Sequence, residues 1–256
     1  MSKIKIASVS YLNSVPFTYG INESGAIDAE LILAPPVECS RLLSEGEVDI
    51  ALIPVAATPN LGIDVEIITS HCIGTVGAVR TVVLLSDEEP KSIERIWLDT
   101  ESQTSIKLLA HLCEHHFKIT PEWHLLDNRE RISHPEDGDA FLLIGDKVFE
   151  HEGEFEYTFD LAEEWMRLTS LPFVFAVWCA PRGVDEEIVE QLELALEWGV
   201  EHTFEALQAI RPDVEMEDGY RYLTSNIDTM LDGAKREAMR LFLASKSRII
   251  PKTKES

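Results

Sequence analysis

Short apolar runs alternate with helix-patterned segments along the first half of this chain, and that order of elements is the pattern of an α/β fold with largely parallel strands. The runs predict strands at Ile4 to Val9, Ala29 to Leu33, Val65 to Thr69, Ala78 to Leu85, Arg95 to Leu98, Ala140 to Ile144 and Phe173 to Cys179. Gly46 to Pro54 (GEVDIALIP) reads as a turn followed by a buried strand. Between strands, Val37 to Ser44 is helical, with Val37, Cys39, Leu42 and Leu43 on one face. Gln103 to Phe117 carries Ile106, Leu109, Cys113 and Phe117 at spacings of 3, 4 and 4, which makes one buried helical face. From an N-cap at Asp185 the chain runs as acidic helices to about Ser245, interrupted at Arg211-Pro212. There is no Gly/Ser linker and no internal repeat. Two lobes remain open to such a chain, because it can cross between them twice on strands. Ala78 to Ser86 and Phe173 to Pro181 are the crossing candidates, dividing the chain into one lobe of residues 1–84 and 178–256 and another of residues 85–177.

With 256 residues, 45% of them apolar, the chain can bury one large core or two small ones, which sets aside disorder and a miniature disulfide scaffold. Its 22 Lys and Arg face 46 Asp and Glu, a formal charge of −24. Nucleic acid and anionic membrane surfaces both demand cations, so neither fits as a partner. The opening MSKIKIASVSYLNSVPF reads as a strand rather than a signal peptide, and no later stretch offers the roughly 20 apolar residues of a membrane span. Cys39, Cys72, Cys113 and Cys179 form no C-x-x-C pair. The expectation is a reduced, cytoplasmic protein. Its oligomeric state stays open.

No G-x-S-x-G elbow, phosphate loop or G-x-G-x-x-G fingerprint occurs. His111, His115 and His116, with Cys113 and Glu114, have metal-like spacing. However, His111 and His115 fall with Lys107, Glu114 and Lys118 opposite the apolar stripe, which predicts a solvated helix face and no metal. His71, beside Cys72 and near Gly74, reads as a structural histidine. Small hydroxyl and amide side chains gather in three places where strands end. These are Ser10 to Phe17, Leu98 to Ser105 before the long helix, and Gly145-Asp146. Each alone is ordinary capping; together they mark the strand edge at which ligands of open α/β sheets bind.

Six segments then carry a resemblance: SYLNSVPF (10–17), GEVDIALIP (46–54), CIGTVGAVRTVVLLS (72–86), LDTESQTS (98–105), FLLIGD (141–146) and FDLAEEWMRLTSLPFVFAVW (159–178). In this order and spacing the chain resembles the chorismate dehydratases of the futalosine pathway to menaquinone, over about residues 3 to 245. Phe17 stands where a leucine is common, and Thr81 follows Arg80 where a serine is common. The resemblance implies a two-lobed α/β fold like the type II periplasmic binding proteins, with a central ligand cleft. The implied reaction removes water from chorismate to leave 3-[(1-carboxyvinyl)oxy]benzoate, without a cofactor.

Chorismate carries two carboxylates, and a chain of charge −24 must hold it through local donors. On that reading Thr104 and Ser105, with the helix N-terminus, take one carboxylate. Asn13 with Ser10 and Ser14, Ser86 and Gly145 take the remainder, and Arg80 is either a pocket cation or a surface residue. For the C3 proton the candidate bases are Asp146, Asp99 and the substrate's own enolpyruvyl carboxylate, the last preferred because it suits a site of amides and hydroxyls. Two rival readings share the fold: a non-catalytic small-anion binding protein, and the dihydroxynaphthoate synthase that acts later in the same pathway.

Overall fold

A computed structural model of the chain describes residues 3–247 and 249. From the N-terminus, β1 (Ile4–Val9) passes through a tight turn at Leu12–Ser14 into α1 (Val15–Glu23). β2 (Ala29–Ala34), α2 (Pro36–Ser44), β3 (Ile50–Pro54) and β4 (Val65–Thr75) follow. The middle of the chain supplies β5 (Val82–Ser86), β6 (Arg95–Leu98), α3 (Gln103–Leu112), β7 (Glu122–Leu125), β8 (Asp139–Ile144), β9 (Tyr157–Asp160) and α4 (Leu161–Thr169). The last third holds β10 (Phe173–Pro181), α5 (Glu186–Glu201), α6 (Thr203–Ile210), α7 (Met216–Arg221), β11 (Asp228–Met230) and α8 (Gly233–Ala244).

These strands make two sheets, ordered β11-β4-β10-β3-β1-β2 and β7-β6-β8-β5-β9. Each is the floor of one lobe. β1 pairs in parallel with β2 and β3, and β6 with β7 and β8, whereas β10 runs antiparallel to β3 and β4, and β5 antiparallel to β8 and β9. The sheets are therefore mixed rather than largely parallel, because the strands flanking each passage between lobes run against their neighbours. β5 lies wholly in the second sheet and β10 wholly in the first. The chain changes sheet in the connections 76–81 and 170–172 rather than inside the strands, so boundaries at 84 and 177 would cut through two strands. Residues 78–81 leave the extended pattern because Arg80 adopts a left-handed conformation, φ 69°.

Sequence periodicity located the main elements, with local differences. The expected helix ending at Phe117 widens after Leu112 and stops at Lys118, whose φ of 58° is left-handed. Asp185 does cap α5, its carboxylate accepting from the Glu187 N–H at 3.0 Å. The helices that follow break not only at Arg211-Pro212 but again at β11. Helices α1 and α5 cross at Gly20 and Gly199, where a β-carbon on either would collide with the carbonyl oxygen of Ala195 or Pro16 respectively. Aliphatic side chains from β1, β3 and β10 and from the lobe-facing side of β5, β6 and β8 belong to one continuous core, while Val83, Leu85, Phe141 and Leu143 pack on the outer face of the second sheet.

Candidate functional site

A pocket lies between the lobes, lined by residues of both. The first lobe lines it with Val9, Tyr11 and Asn13 after β1, Pro54 at the end of β3, and Phe175 and Ala176 on β10. The second lobe and its incoming connection contribute Thr81, Val82, Ser102, Ser105, Ile144 and Gly145. The parallel strands β1, β3 and β8 each present their C-terminal ends here, the edge that the three polar turns had marked.

At the head of α3 the N-cap is Ser102, whose Oγ accepts from the Ser105 N–H at 3.3 Å and from the Ser105 hydroxyl at 3.1 Å. Both serines line the cleft, beside the unpaired first-turn N–H groups of the helix. Ser102 is a site residue that the sequence reading passed over, although its three-residue spacing to Ser105 is a capping signal. Thr104 is buried and faces elsewhere. Its Oγ1 accepts from the Ala56 N–H at 3.1 Å and donates to the Phe175 carbonyl at 3.2 Å, which ties the second lobe's helix to the first lobe.

Asn13 lines the cleft with a carboxamide Oδ1 that is buried and without a hydrogen-bond partner among the described residues. Ser14 does not act as a cap or a ligand group, since its hydroxyl donates to the carbonyls of Val9 and Tyr11. Thr81, absent from the expected set, lines the cleft with its Oγ1 2.8 Å from the hydroxyl of buried Tyr222. Its carbonyl accepts from the Gly145 N–H at 2.9 Å. Gly145 has φ 71° and lies against the Tyr11 ring.

Besides Ser14 and Thr104, four more expected residues lie outside this cleft. Ser86 ends β5 at the far side of the sheet, paired with Ala140 and Tyr157, and its hydroxyl donates to the Asp139 carbonyl at 2.8 Å. The strand-end rule misplaced it because β5 is antiparallel to β8, so its N-terminal residue Val82, opposite Ile144, is the one at the cleft. Ser10, Arg80 and Asp146 line a separate open groove on the other side of Tyr11. There the Arg80 guanidinium is held by Glu152 at 2.6 and 2.9 Å and by Asp218 at 2.8 Å, over the Phe149 ring. Burial raises the Asp146 carboxyl above the usual carboxylate range, yet both its oxygens accept from the Leu12 N–H at 3.0 Å. Asp99 is buried in an ion pair with Lys147 and accepts from the Glu101 N–H at 3.1 Å.

The described residues lining the cleft include no Asp, Glu, His, Lys or Arg. Tyr11, the one phenol there, is pushed above its ordinary range by burial and by its hydrogen bond to Glu101. Among the described residues no group of three His, Cys, Asp or Glu side chains is placed to hold a metal. The histidine-rich face of α3 is not simply solvated: His111 packs on Trp165 and hydrogen-bonds Ser245 at 2.9 Å. His71 is buried, with Nδ1 3.2 Å from a Glu193 oxygen, and does not line the cleft. No helix of the described chain is long and apolar enough to cross a membrane.

Two α/β lobes joined by two short connections, with a cleft at their strand ends, define the two-lobed architecture of the periplasmic binding proteins. Within it, the chain belongs to a family described as menaquinone biosynthesis, whose sequence model matches residues 4–247. A chorismate dehydratase of Thermus thermophilus is 27% identical over 190 residues, covering 67% of this chain and 68% of that protein. A protein from Archaeoglobus fulgidus shares the fold with a TM-score of 0.72 at 14% identity, over 94% of this chain and 95% of that one. A Candida albicans gene product with the generic periplasmic binding protein fold gives a TM-score of 0.68 at 13% identity, over 97% and 92%. The alkanesulfonate-binding protein of Xanthomonas axonopodis pv. citri, bound to MOPS, gives 0.62 at 14% identity, over 94% and 90%.

Proposed function

We propose that this protein is a chorismate dehydratase, a hydro-lyase that converts chorismate to 3-[(1-carboxyvinyl)oxy]benzoate and water. The observation that carries the reading is the chemistry of the cleft: hydroxyls, a carboxamide and a helix N-terminus, with no ionisable base but a phenol held protonated. Membership in the menaquinone family and the likeness to the Thermus enzyme support it.

A dianion can sit in such a site without a cationic patch. Ser102, Ser105 and the first-turn N–H groups of α3 receive one carboxylate. The ring carboxylate activates the C3 proton through the conjugated diene, so its removal builds charge that fixed donors stabilise. The substrate's enolpyruvyl carboxylate takes that proton. The C4 hydroxyl then departs as hydroxide, which recovers the proton as water while the ring becomes aromatic. Asp146 and Asp99 are not needed as bases on this route. The two lobes close over the substrate about the connections 76–81 and 170–172, excluding water from the charged intermediate. The chain works in the cytoplasm, a setting that suits its four buried, free cysteines.

Incubating the purified protein with chorismate and following the aromatic product tests the assignment. Tight binding of chorismate without turnover would instead identify a binding protein, and turnover only of a later, larger intermediate the synthase.

A further inference from the structure

We propose that Thr104 is a positioning residue, whose hydroxyl holds the carboxylate-receiving end of α3 in register with the first lobe's wall of the cleft. The inference rests on the reading of the site just given. Thr104 is the second residue of α3, set between the cleft-lining Ser102 and Ser105, and it is fully buried outside the cleft. Its Oγ1 accepts from the Ala56 N–H at 3.1 Å and donates to the Phe175 carbonyl at 3.2 Å. Both directions are fixed, because an amide N–H only donates and a carbonyl only accepts. The one hydrogen of the hydroxyl is thereby committed inside the protein, so Thr104 has none to give a carboxylate.

The first lobe is shaped to meet that hydroxyl. The pairing of β10 with β4 slips between Val174 and Ala176, and its pairing with β3 begins at Ala176. Phe175 is thus opposite no residue in either register, and its carbonyl is the one that Thr104 takes. Ala56 is the second residue of the short helical turn Val55–Asn60, where the first N–H groups have no partner within the turn. A sheet irregularity and a helix start therefore converge on one side chain of the other lobe. A second tie lies three residues before it, where the Tyr11 hydroxyl donates to the Glu101 carboxylate. First-lobe groups grip residues 101 and 104, while residues 102 and 105 face the cleft. Ser102, Ser105 and the first-turn N–H groups move with α3 and carry a bound carboxylate with them, whereas Asn13, Pro54 and Phe175 stay with the first lobe. Loss of the Thr104 bonds leaves the seat whole and shifts it against the groups that face the ring, and a displacement of about 1 Å can cost roughly 10²-fold in rate.

Thr104→Val exchanges the hydroxyl for a methyl of similar size. We expect kcat for chorismate to fall about 10- to 100-fold with KM changed less than about threefold, because the seat moves as a unit with its ligand. Thr104→Ser keeps the hydroxyl and should restore kcat to within about threefold of the parent. Thr104→Ala is read in place of the valine variant if that one does not fold. A readout free of turnover is the backbone amide of Ala56 in the ligand-free protein. Its ¹⁵N–¹H signal should shift in Thr104→Val and its hydrogen exchange should quicken at least about tenfold, and Thr104→Ser should reverse both. Parental kcat without the hydroxyl, a loss carried by KM instead, a serine variant as slow as the valine one, or an unmoved Ala56 amide would overturn the proposal. If the parent protein leaves chorismate untouched, the dehydratase reading fails by itself, and the Ala56 amide then decides whether Thr104 ties the lobes.

Discussion

The ring of Tyr11 presses on the α-carbon of Gly145 so closely that a β-carbon there would stand 3.0 Å from two ring atoms. Tyr11 belongs to the first lobe and Gly145 to the second, so the lobes meet at this contact. Gly145→Ala would add both the steric conflict and a left-handed alanine at φ 71°. We expect kcat/KM for chorismate to fall at least about tenfold and the melting temperature to drop, the strain of such a residue being of order 1–3 kcal/mol. Parental kinetics would mean that Tyr11 swings aside freely.

Asn13→Asp should impair both binding and turnover. An ionised aspartate has no N–H donor, and it puts negative charge beside a dianion. Losing one such stabilising group costs roughly 10²–10³ in rate. Thr18→Ala is the control, because the Thr18 hydroxyl is spent on the Val15 carbonyl at 3.0 Å within α1. Steady-state kinetics on both variants should separate them by at least about tenfold.

Ser86→Ala should leave turnover unchanged and lower stability. The Ser86 hydroxyl bridges the Asp139 carbonyl at 2.8 Å and the Glu88 N–H at 3.1 Å, and it is buried. Stranding those groups costs about 1–3 kcal/mol, or a melting shift of roughly 2–12 °C for a chain this size. A large loss of kcat with an unshifted melting curve would return Ser86 to the site.

Acidification should weaken the contact between α3 and the C-terminal segment. Burial pushes His111 down to about 4 from an ordinary 6.5, with His115 and Lys107 adding to the effect and Glu114 opposing it. The unfolded chain therefore binds this proton more readily than the folded one between those values. Stability from the neutral imidazole is fully present above about 6.5 and is lost as the pH falls toward about 4. Discounted for partial exposure, the effect is about 1–2 kcal/mol. Melting curves of parent and His111→Gln across that window should converge at low pH. Parallel curves would remove His111 as their cause.

How much of this was legible in the sequence depended on whether the signal was local. Asn13 and Gly145 sit in turns directly after parallel strands and Ser105 in the first turn of α3, and their chemistry could be read where it stands. Ser86 was misread because strand direction is a property of the sheet. The same run of residues ends at the cleft or away from it according to its neighbour β8. Thr81 was hidden by Arg80, whose left-handed backbone ends what reads as one continuous strand. Tyr222 had no local signal at all, since Thr81, the partner of its hydroxyl, lies 141 residues earlier. The two passages between lobes were sensed from apolar runs, but only pairing could show that β5 and β10 each belong to one sheet.

The place of β10 between β4 and β3 has a consequence for how the chain matures on the ribosome. When residue 169 has emerged, every strand of the second sheet exists, whereas β1, β2 and β3 are still separated from β4 by a missing central strand. The inner lobe can thus finish first, and the outer lobe must wait with a gap in its sheet until Phe173–Pro181 arrives to bridge it. Such a nascent chain exposes two unpaired inner edges for the whole time that the inner lobe is being made. A translational pause before residue 173 would lengthen that exposure, and one after α8 would not.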